Sequence, residues 1–329
     1  MGLYDRSVIM CVAHFFEPRY FEIARLKVRP KRRSEVRPDV TTTPNKISVP
    51  ETKPVTVQFG DRRVVIGGRE IVIIAGPCSI ESESHLRDTA LSVAARGASL
   101  LRGGVFKMRT SPESFQGIGT PAFEFLGRVK NEAGLPLVSE ITDPRQIELM
   151  IETVDLFQVG SRNMYNYELL KELGRIKRPV ILKRAFAATI DEWVHAAEYI
   201  VRGGNDQIVL CERGIRTFET ATRNTLDLNA VAWIKAHTDF AIVVDPSHGT
   251  GRRELVTPMA LAGIAAGADG IICEVHPRPD EAMSDAFQAL DYDAFEDLVA
   301  KVSAVAAAVG RTMHTNANLG GLQASGVYL

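Results

Sequence analysis

From Glu70 onward, short runs of apolar and β-branched residues alternate with longer amphipathic stretches. The short runs are EIVIIAG, SLLRGGVF, LPLVSE, DLFQVG, RPVILKR, QIVLCE, FAIVVDP and DGIICEV, each closing on a polar or glycine-containing turn. They read as strands, and the stretches between them, among them HLRDTALSVAARG, IDEWVHAAEYIVRGG and PMALAGIAAGA, read as helices. Eight successive strand–helix units predict an α/β fold, a (β/α)8 TIM barrel, which takes about 250 residues. A doubly wound open sheet is the alternative. Against it, no GxGxxG follows the first strand, and eight units are more than such a sheet usually carries.

The chain before the barrel reads differently. Residues 1–53 are dense in Pro, Thr and basic residues, as in KVRPKRRSEVRPDVTTTPNKISVPETKP, without helical or alternating periodicity. They are expected to form an irregular extension, and the basic cluster a solvated arm with no nucleic-acid role. The run VIMCVAHFF from Val8 is too short to span a bilayer, and no small-residue cleavage site follows it. No membrane association and a cytoplasmic setting are therefore expected. From Val55, VTVQFGDRRVVIGG alternates around Gly60 and Asp61 and predicts a β-hairpin. Residues 54–329 are thus expected to form one catalytic domain, hairpin included.

Composition narrows the chemistry only a little. The 329 residues are 45 % hydrophobic and 24 % charged, with a formal net charge of -1, so any affinity for anions must come from local placement of Arg and Lys. Cys11, Cys78, Cys211 and Cys273 are too scattered for a CxxC pairing and are expected to be reduced thiols. Cys211 and Cys273 lie in apolar runs and read as core, whereas Cys78 follows Gly76 and Pro77 where a strand has just ended.

Residues at the carboxyl ends of barrel strands face the active site. Read in order, those ends carry Cys78; Arg102 with Lys107, Arg109 and Thr110; Glu140; Ser161 and Arg162; Lys183 and Arg184; Glu212 and Arg213; Asp245 and His248; and Glu274 with His276, then Asp285 in the following loop. Cys78, His248, Glu274 and Asp285 offer sulfur, nitrogen and oxygen donors suited to a borderline divalent ion. Arg102, Lys107, Arg109, Arg162, Lys183 and Arg213 would repel one another at one mouth unless anions lay between them, and two phosphates with a carboxylate would account for them. Each residue also has a plainer reading: His248 as a hydrogen-bonded core side chain, Glu274 as a helix cap, Lys183 and Arg184 as a solvated pair, Asp285 as an N-cap. Recurrence at one structural level on eight strands favours the joint reading.

The strings GPCSIES, RGGVFKMRTSPESFQG, GSRNMYNYELLKELG, ILKRAFAATIDEW, LCERGIRTFETATRNTLDL, DPSHGTGRRELV and CEVHPRPDEAMSDAFQAL resemble the type I-beta 3-deoxy-D-arabino-heptulosonate-7-phosphate synthases, from about Val55 to about residue 310. The resemblance implies condensation of phosphoenolpyruvate with erythrose 4-phosphate at the start of the shikimate pathway. It implies a divalent metal (Mn2+, Fe2+, Zn2+ or Co2+) on Cys78, His248, Glu274 and Asp285. Phosphoenolpyruvate would lie on Arg102, Ser161, Arg162, Lys183, Arg213 and Asp245, with Glu140 nearby, and the aldose on Lys107, Arg109 and Thr110. Lys107, Cys78, His248 and Glu140 would be catalytic, and a homo-oligomer, dimer or tetramer, is implied. The chain departs from the family pattern at Met108, where a proline stands in the family, and at Ala185 and Ala187 in AFAATI. The neighbouring reading is a 3-deoxy-D-manno-octulosonate 8-phosphate synthase, whose aldose loop has two residues between its cations where Lys107 and Arg109 here have one. A metal-dependent barrel hydrolase would usually show more His ligands and would not need six convergent cations. A catalytically idle barrel would not need all four donors.

Overall fold

A computed structural model describes residues 50–315, so all but the last four residues of the expected arm, Cys11 and the Val8 run lie outside the described residues. The hairpin forms as expected, β1 (Val55–Phe59) pairing antiparallel with β2 (Arg62–Ile66) around Gly60 and Asp61. Eight parallel strands follow: β3 (Glu70–Gly76), β4 (Leu100–Arg102), β5 (Leu137–Ile141), β6 (Leu156–Val159), β7 (Val180–Lys183), β8 (Ile208–Glu212), β9 (Ala241–Val244) and β10 (Gly270–Glu274). Each pairs with the next, and β10 pairs back to β3, so the sheet closes on itself as a TIM barrel. A short β11 (Thr312–Met313) adds to the start of β3.

Strand alternation sends successive side chains inward and outward, and both sets are apolar. The outward set, such as Ile71, Ile73, Leu137, Phe157 and Leu182, packs against α1 (Glu83–Ala95), α2 (Phe123–Ala133), α3 (Ile147–Met150), α4 (Tyr167–Arg175), α5 (Ile190–Arg202), α6 (Leu228–His237), α8 (Arg253–Ala265) and α9 (Tyr292–Ala308), while the short α7 (Pro246–Thr250) follows the end of β9. The inward set, including Val72, Ile74, Leu156, Val209 and Val243, fills the barrel together with Val55, Val57, Val64 and Ile66 of the hairpin. The hairpin therefore plugs the end of the barrel where the strands begin. The opposite end stays free for polar groups.

Local chemistry sets where helices start. Thr189 and Glu192 form a reciprocal capping box at the start of α5, whose Trp193, Ala196, Ala197 and Ile200 make the buried face at helical spacing. Trp193 also donates its ring N–H to the Leu182 carbonyl at 3.1 Å, tying helix to strand. Boundaries differ from the sequence reading in places: β4 ends at Arg102, short of the run SLLRGGVF, and α8 starts at Arg253, before Pro258, not at it. Proline lacks an N–H but fits the helical φ, and the first turn of the helix is held by the loop after β10 through Arg253 N–H to Phe287 O, 2.9 Å.

Candidate active site

The carboxyl ends of β3, β9 and β10 deliver four donor side chains to one point. The donor atoms of Cys78, His248, Glu274 and Asp285 all lie within 4.8 Å of one another. Cys78 Sγ donates to Asp285 Oδ2 at 2.9 Å, and His248 Nε2 stands 3.2 Å from Glu274 Oε1 and 4.0 Å from Asp285 Oδ2. The short α7 explains the imidazole's placement. Asp245 caps it, with Pro246 at its first position, and takes the His248 backbone N–H at 3.0 Å. The other Asp245 oxygen takes the ring Nδ1–H at 2.8 Å, which leaves Nε2 as a lone-pair donor pointing at the group. Asp285 holds a left-handed backbone, φ 55°, the one non-glycine residue to do so among the described residues. Such backbone strain collects at functional loops.

This set fits a resident divalent cation. Two carboxylates, a buried thiol and a neutral imidazole nitrogen converge, an acceptor-rich arrangement that a cation neutralises. Burial, reinforced by the Glu274 charge, pushes the Cys78 thiol well above its ordinary value; a bound cation would take the place of that proton. Burial also works against charge on Asp285, but His248, Lys107, the Cys78 hydrogen bond and Arg223 outweigh it and hold the carboxyl far down. The ligand carboxylates are braced from outside the cluster. Gln288 Nε2 donates to Glu274 Oε2 at 2.7 Å, and Arg223 donates to both Asp285 Oδ1 at 3.0 Å and Gln288 Oε1 at 2.9 Å.

Beside the donors lies a cavity of about 250 Å³ lined by Lys107, Arg109, Thr110, Glu140, Ser161, Arg162, Lys183, Arg213, Arg223, His248 and Asp285, with Met108, Gln158 and Phe186. Cations of both expected substrate groups thus share one space with the donor cluster. Lys183 is held by Asp245 at 2.5 Å, and Lys107 lies 3.9 Å from Glu140. Burial opposes the Lys107 charge, yet Cys78 and Glu140 raise its pKa above the usual range, so the amine is cationic. Among the described residues Arg162 and Arg213 make no ion pair, only hydrogen bonds to Thr110 Oγ1 at 3.4 Å and Gly214 O at 3.2 Å. Burial pushes Arg213 down to about 10, still cationic at neutral pH. Glu140 packs over Gly160, where a Cβ would meet its carboxylate, so a larger residue there would push the acid aside.

Some residues sit elsewhere than the sequence reading expects. Arg102 is 3 % exposed, does not line the cavity and pairs with Glu274 at 3.2 Å, behind the donor cluster. Glu274 caps no helix, and Asp285, expected as an N-cap in the plainer reading, belongs to the donor set. The Lys183–Arg184 pair is not solvated. Arg184 is buried between strand and helix on Glu212 at 3.0 Å, Asp227 at 2.9 Å and the Trp193 ring. Arg223, Gln288, Gln158 and Phe186 were not singled out from sequence. Gln288 lies three residues beyond Asp285, and that spacing was the available signal.

Glu81, His85 and His276 form a second set of possible donors within 4.8 Å. His276 Nδ1, however, accepts the Arg278 N–H at 3.1 Å, so its Nε2 carries the proton and faces Glu81 at 3.5 Å. The set is a strap between the loops after β3 and β10, completed by Met283 N–H to Glu81 Oε1 at 2.8 Å.

Comparison with known proteins gives a consistent picture. The profile of the DAHP synthetase I family matches residues 46–309. The chain is 47 % identical over 254 residues to the phospho-2-dehydro-3-deoxyheptonate aldolase of Thermotoga maritima, covering 77 % of this chain and 75 % of that protein. It is 30 % identical over 275 residues to the 2-dehydro-3-deoxyphosphooctonate aldolase of Syntrophotalea carbinolica, covering 78 % and 98 %. Among solved structures, the DAHP synthase of Thermotoga maritima superposes with a TM-score of 0.76 at 45 % identity, over 80 % of this chain and 76 % of that one.

Proposed function

This chain belongs to the DAHP synthetase I family, and from that premise we propose how its residues carry out the family's reaction. The chain is a phosphoenolpyruvate-condensing transferase of the aldolase type. It joins phosphoenolpyruvate, D-erythrose 4-phosphate and water to give 3-deoxy-D-arabino-heptulosonate 7-phosphate and phosphate. The observation that carries the reading is the single cavity in which unpaired Arg162 and Arg213 face a Cys–His–Glu–Asp donor set.

Arg162, Arg213, Lys183 and Ser161 hold phosphoenolpyruvate, and Lys107, Arg109 and Thr110 hold the aldose phosphate end and aldehyde. Guanidinium forks match the phosphate and carboxylate oxygens, and fixing both substrates turns a rare encounter into an oriented one. Cys78, His248, Glu274 and Asp285 would hold a divalent ion, Mn2+, Fe2+, Zn2+ or Co2+, which supplies Lewis acidity toward the aldehyde oxygen. As C3 of phosphoenolpyruvate bonds to the aldehyde carbon, negative charge grows on that oxygen, and the Lys107 ammonium delivers the proton. Water then adds to C2, with Glu140 orienting it and taking its proton, and phosphate leaves from the tetrahedral centre. Arg102 and Asp245 stand one step back: Arg102 fixes Glu274, and Asp245 fixes His248 and Lys183.

The proposal also takes residues 54–329 as the catalytic domain, with 1–53 as an appended arm, acting in the cytoplasm. No helix among the described residues is long and apolar enough to cross a membrane. A homo-oligomer, dimer or tetramer, is part of the same proposal and rests on the family resemblance. The deciding experiment is a product assay with phosphoenolpyruvate and either erythrose 4-phosphate or arabinose 5-phosphate, with and without chelator. Turnover of erythrose 4-phosphate that chelator abolishes is expected. Preference for arabinose 5-phosphate would move the chain to the octulosonate reading.

A further inference from the structure

The segment after β7 departs from the family pattern as Ala185-Phe186-Ala187, and its aromatic ring lies among cations. The guanidinium carbons of Arg213, Arg216 and Arg162 stand 4.6, 4.9 and 5.4 Å from the Phe186 ring centroid. Two of these, Arg162 and Arg213, line the cavity and have no carboxylate partner among the described residues. Arg213 is also only 2 % exposed, so water does little to stabilise it. We propose that Phe186 is a positioning residue: its π face holds the Arg162 and Arg213 guanidiniums in place for an incoming phosphoenolpyruvate anion.

An aromatic face offers negative potential to a nearby cation without bringing a carboxylate. A carboxylate at the same place would occupy the fork that the substrate needs. The ring stands between two deliveries of charge, since Arg162 follows β6 whereas Arg213 and Arg216 follow β8, with Phe186 in the turn after β7, the strand between them. Finally, the backbone under the ring is pinned. Phe186 O accepts the Arg216 N–H at 2.7 Å, Ala185 N–H points to Met164 Sδ at 3.2 Å, and Ala188 N–H closes on Ala185 O at 3.3 Å. A ring fixed in this way can order the cations before substrate arrives, which lowers the ordering cost of binding.

The inference rests on the cavity being the phosphoenolpyruvate seat, and the test separates the two. Metal-loaded wild type, Phe186→Leu, Phe186→Met and Phe186→Tyr are compared by direct phosphoenolpyruvate binding and by steady-state kinetics. Leu and Met keep the bulk without the quadrupole, and should raise Kd and KM for phosphoenolpyruvate about three- to tenfold, with kcat within about twofold. KM for erythrose 4-phosphate should not move, and Tyr should restore wild-type affinity. Wild-type phosphoenolpyruvate affinity in Leu or Met overturns the proposal. So does a loss spread over both substrates and kcat that Tyr fails to repair. Wild type that binds no phosphoenolpyruvate would instead overturn the functional reading. Circular dichroism checks folding, and Met carries the comparison if Leu does not fold.

Discussion

Asp245 grips His248 twice, taking its backbone N–H at 3.0 Å and its ring Nδ1–H at 2.8 Å, so one carboxylate fixes both where the imidazole sits and which nitrogen it offers. Asp245→Asn would keep the shape, but its amide nitrogen would meet the ring N–H or the Lys183 ammonium as a second donor. Outer partners of metal-ligating histidines typically contribute ten- to a hundredfold in metal affinity, so a drop of about that size is expected. Competition with a chromophoric chelator measures it. Unchanged affinity would show that another group sets the His248 tautomer.

Cys78→Ala removes the only sulfur donor of the cluster while leaving the barrel's packing intact, since the side chain lies at the strand end and outside the two large apolar clusters. Metal content and turnover are expected to be lost together, with the far-ultraviolet spectrum unchanged. Elemental analysis after dialysis decides the point, and full metal stoichiometry in the variant would remove Cys78 from the ligand set.

Glu140 occupies the space that the missing Cβ of Gly160 leaves open. Gly160→Ala must therefore displace the carboxylate, the far end of a flexible side chain, so the change falls on where the acid points and costs little stability. The expected signature is a fall in kcat with metal content retained, because none of the four donors touches this position. A variant with wild-type kcat would deny Glu140 a part in the chemistry.

How much of this was legible in the chain depends on what each residue's neighbours were. All eight barrel strands and the hairpin were readable, because short apolar runs closed by turns leave few other solutions in a chain of this length. The four donors were readable because they recur at strand ends, where the barrel geometry places function. The fate of Arg184 was not. Strand parity sends Lys183 into the barrel and Arg184 outward, and whether the outward cation meets solvent or the buried Glu212 depends on the loop after β8. Nor was the Arg102–Glu274 pair. Arg102 stands at a strand end like the others, but β4 stops early, and its side chain is taken by Glu274. Arg223 lies in a loop whose path follows from tertiary contacts that no spacing rule encodes, and Gln288 had only its spacing from Asp285 to mark it.

The Arg184 network gives a prediction for stability alone. Glu212 is fully buried; burial raises its pKa, against the Arg184 charge and the Gly214 and Asp227 N–H groups. Arg184→Met would leave that acid without its cation, and breaking one side of a buried pair typically costs about 3–5 kcal/mol. Urea unfolding should show a loss of this order, while the metal affinity of the folded fraction stays at the wild-type value. A stability change near zero would mean that the acid takes up a proton and sits neutral without penalty.

Arg162 and Arg102 are both expected as phosphoenolpyruvate ligands on resemblance, yet the structure treats them differently. Arg162 is exposed, lines the cavity and lacks an ion partner, so Arg162→Ala should weaken phosphoenolpyruvate binding by about 1.5–3 kcal/mol, the range for a charged hydrogen bond, and leave metal binding alone. Arg102 is buried against Glu274, so Arg102→Met should act first on the metal: Glu274 loses its fixed cation, its orientation rests on Gln288 alone, and affinity for the ion falls. Titrating each variant separately with metal and with phosphoenolpyruvate divides the roles. If Arg102→Met holds its ion as tightly as wild type but no longer binds phosphoenolpyruvate, the guanidinium touches substrate after all, and the division argued from the Glu274 contact is wrong.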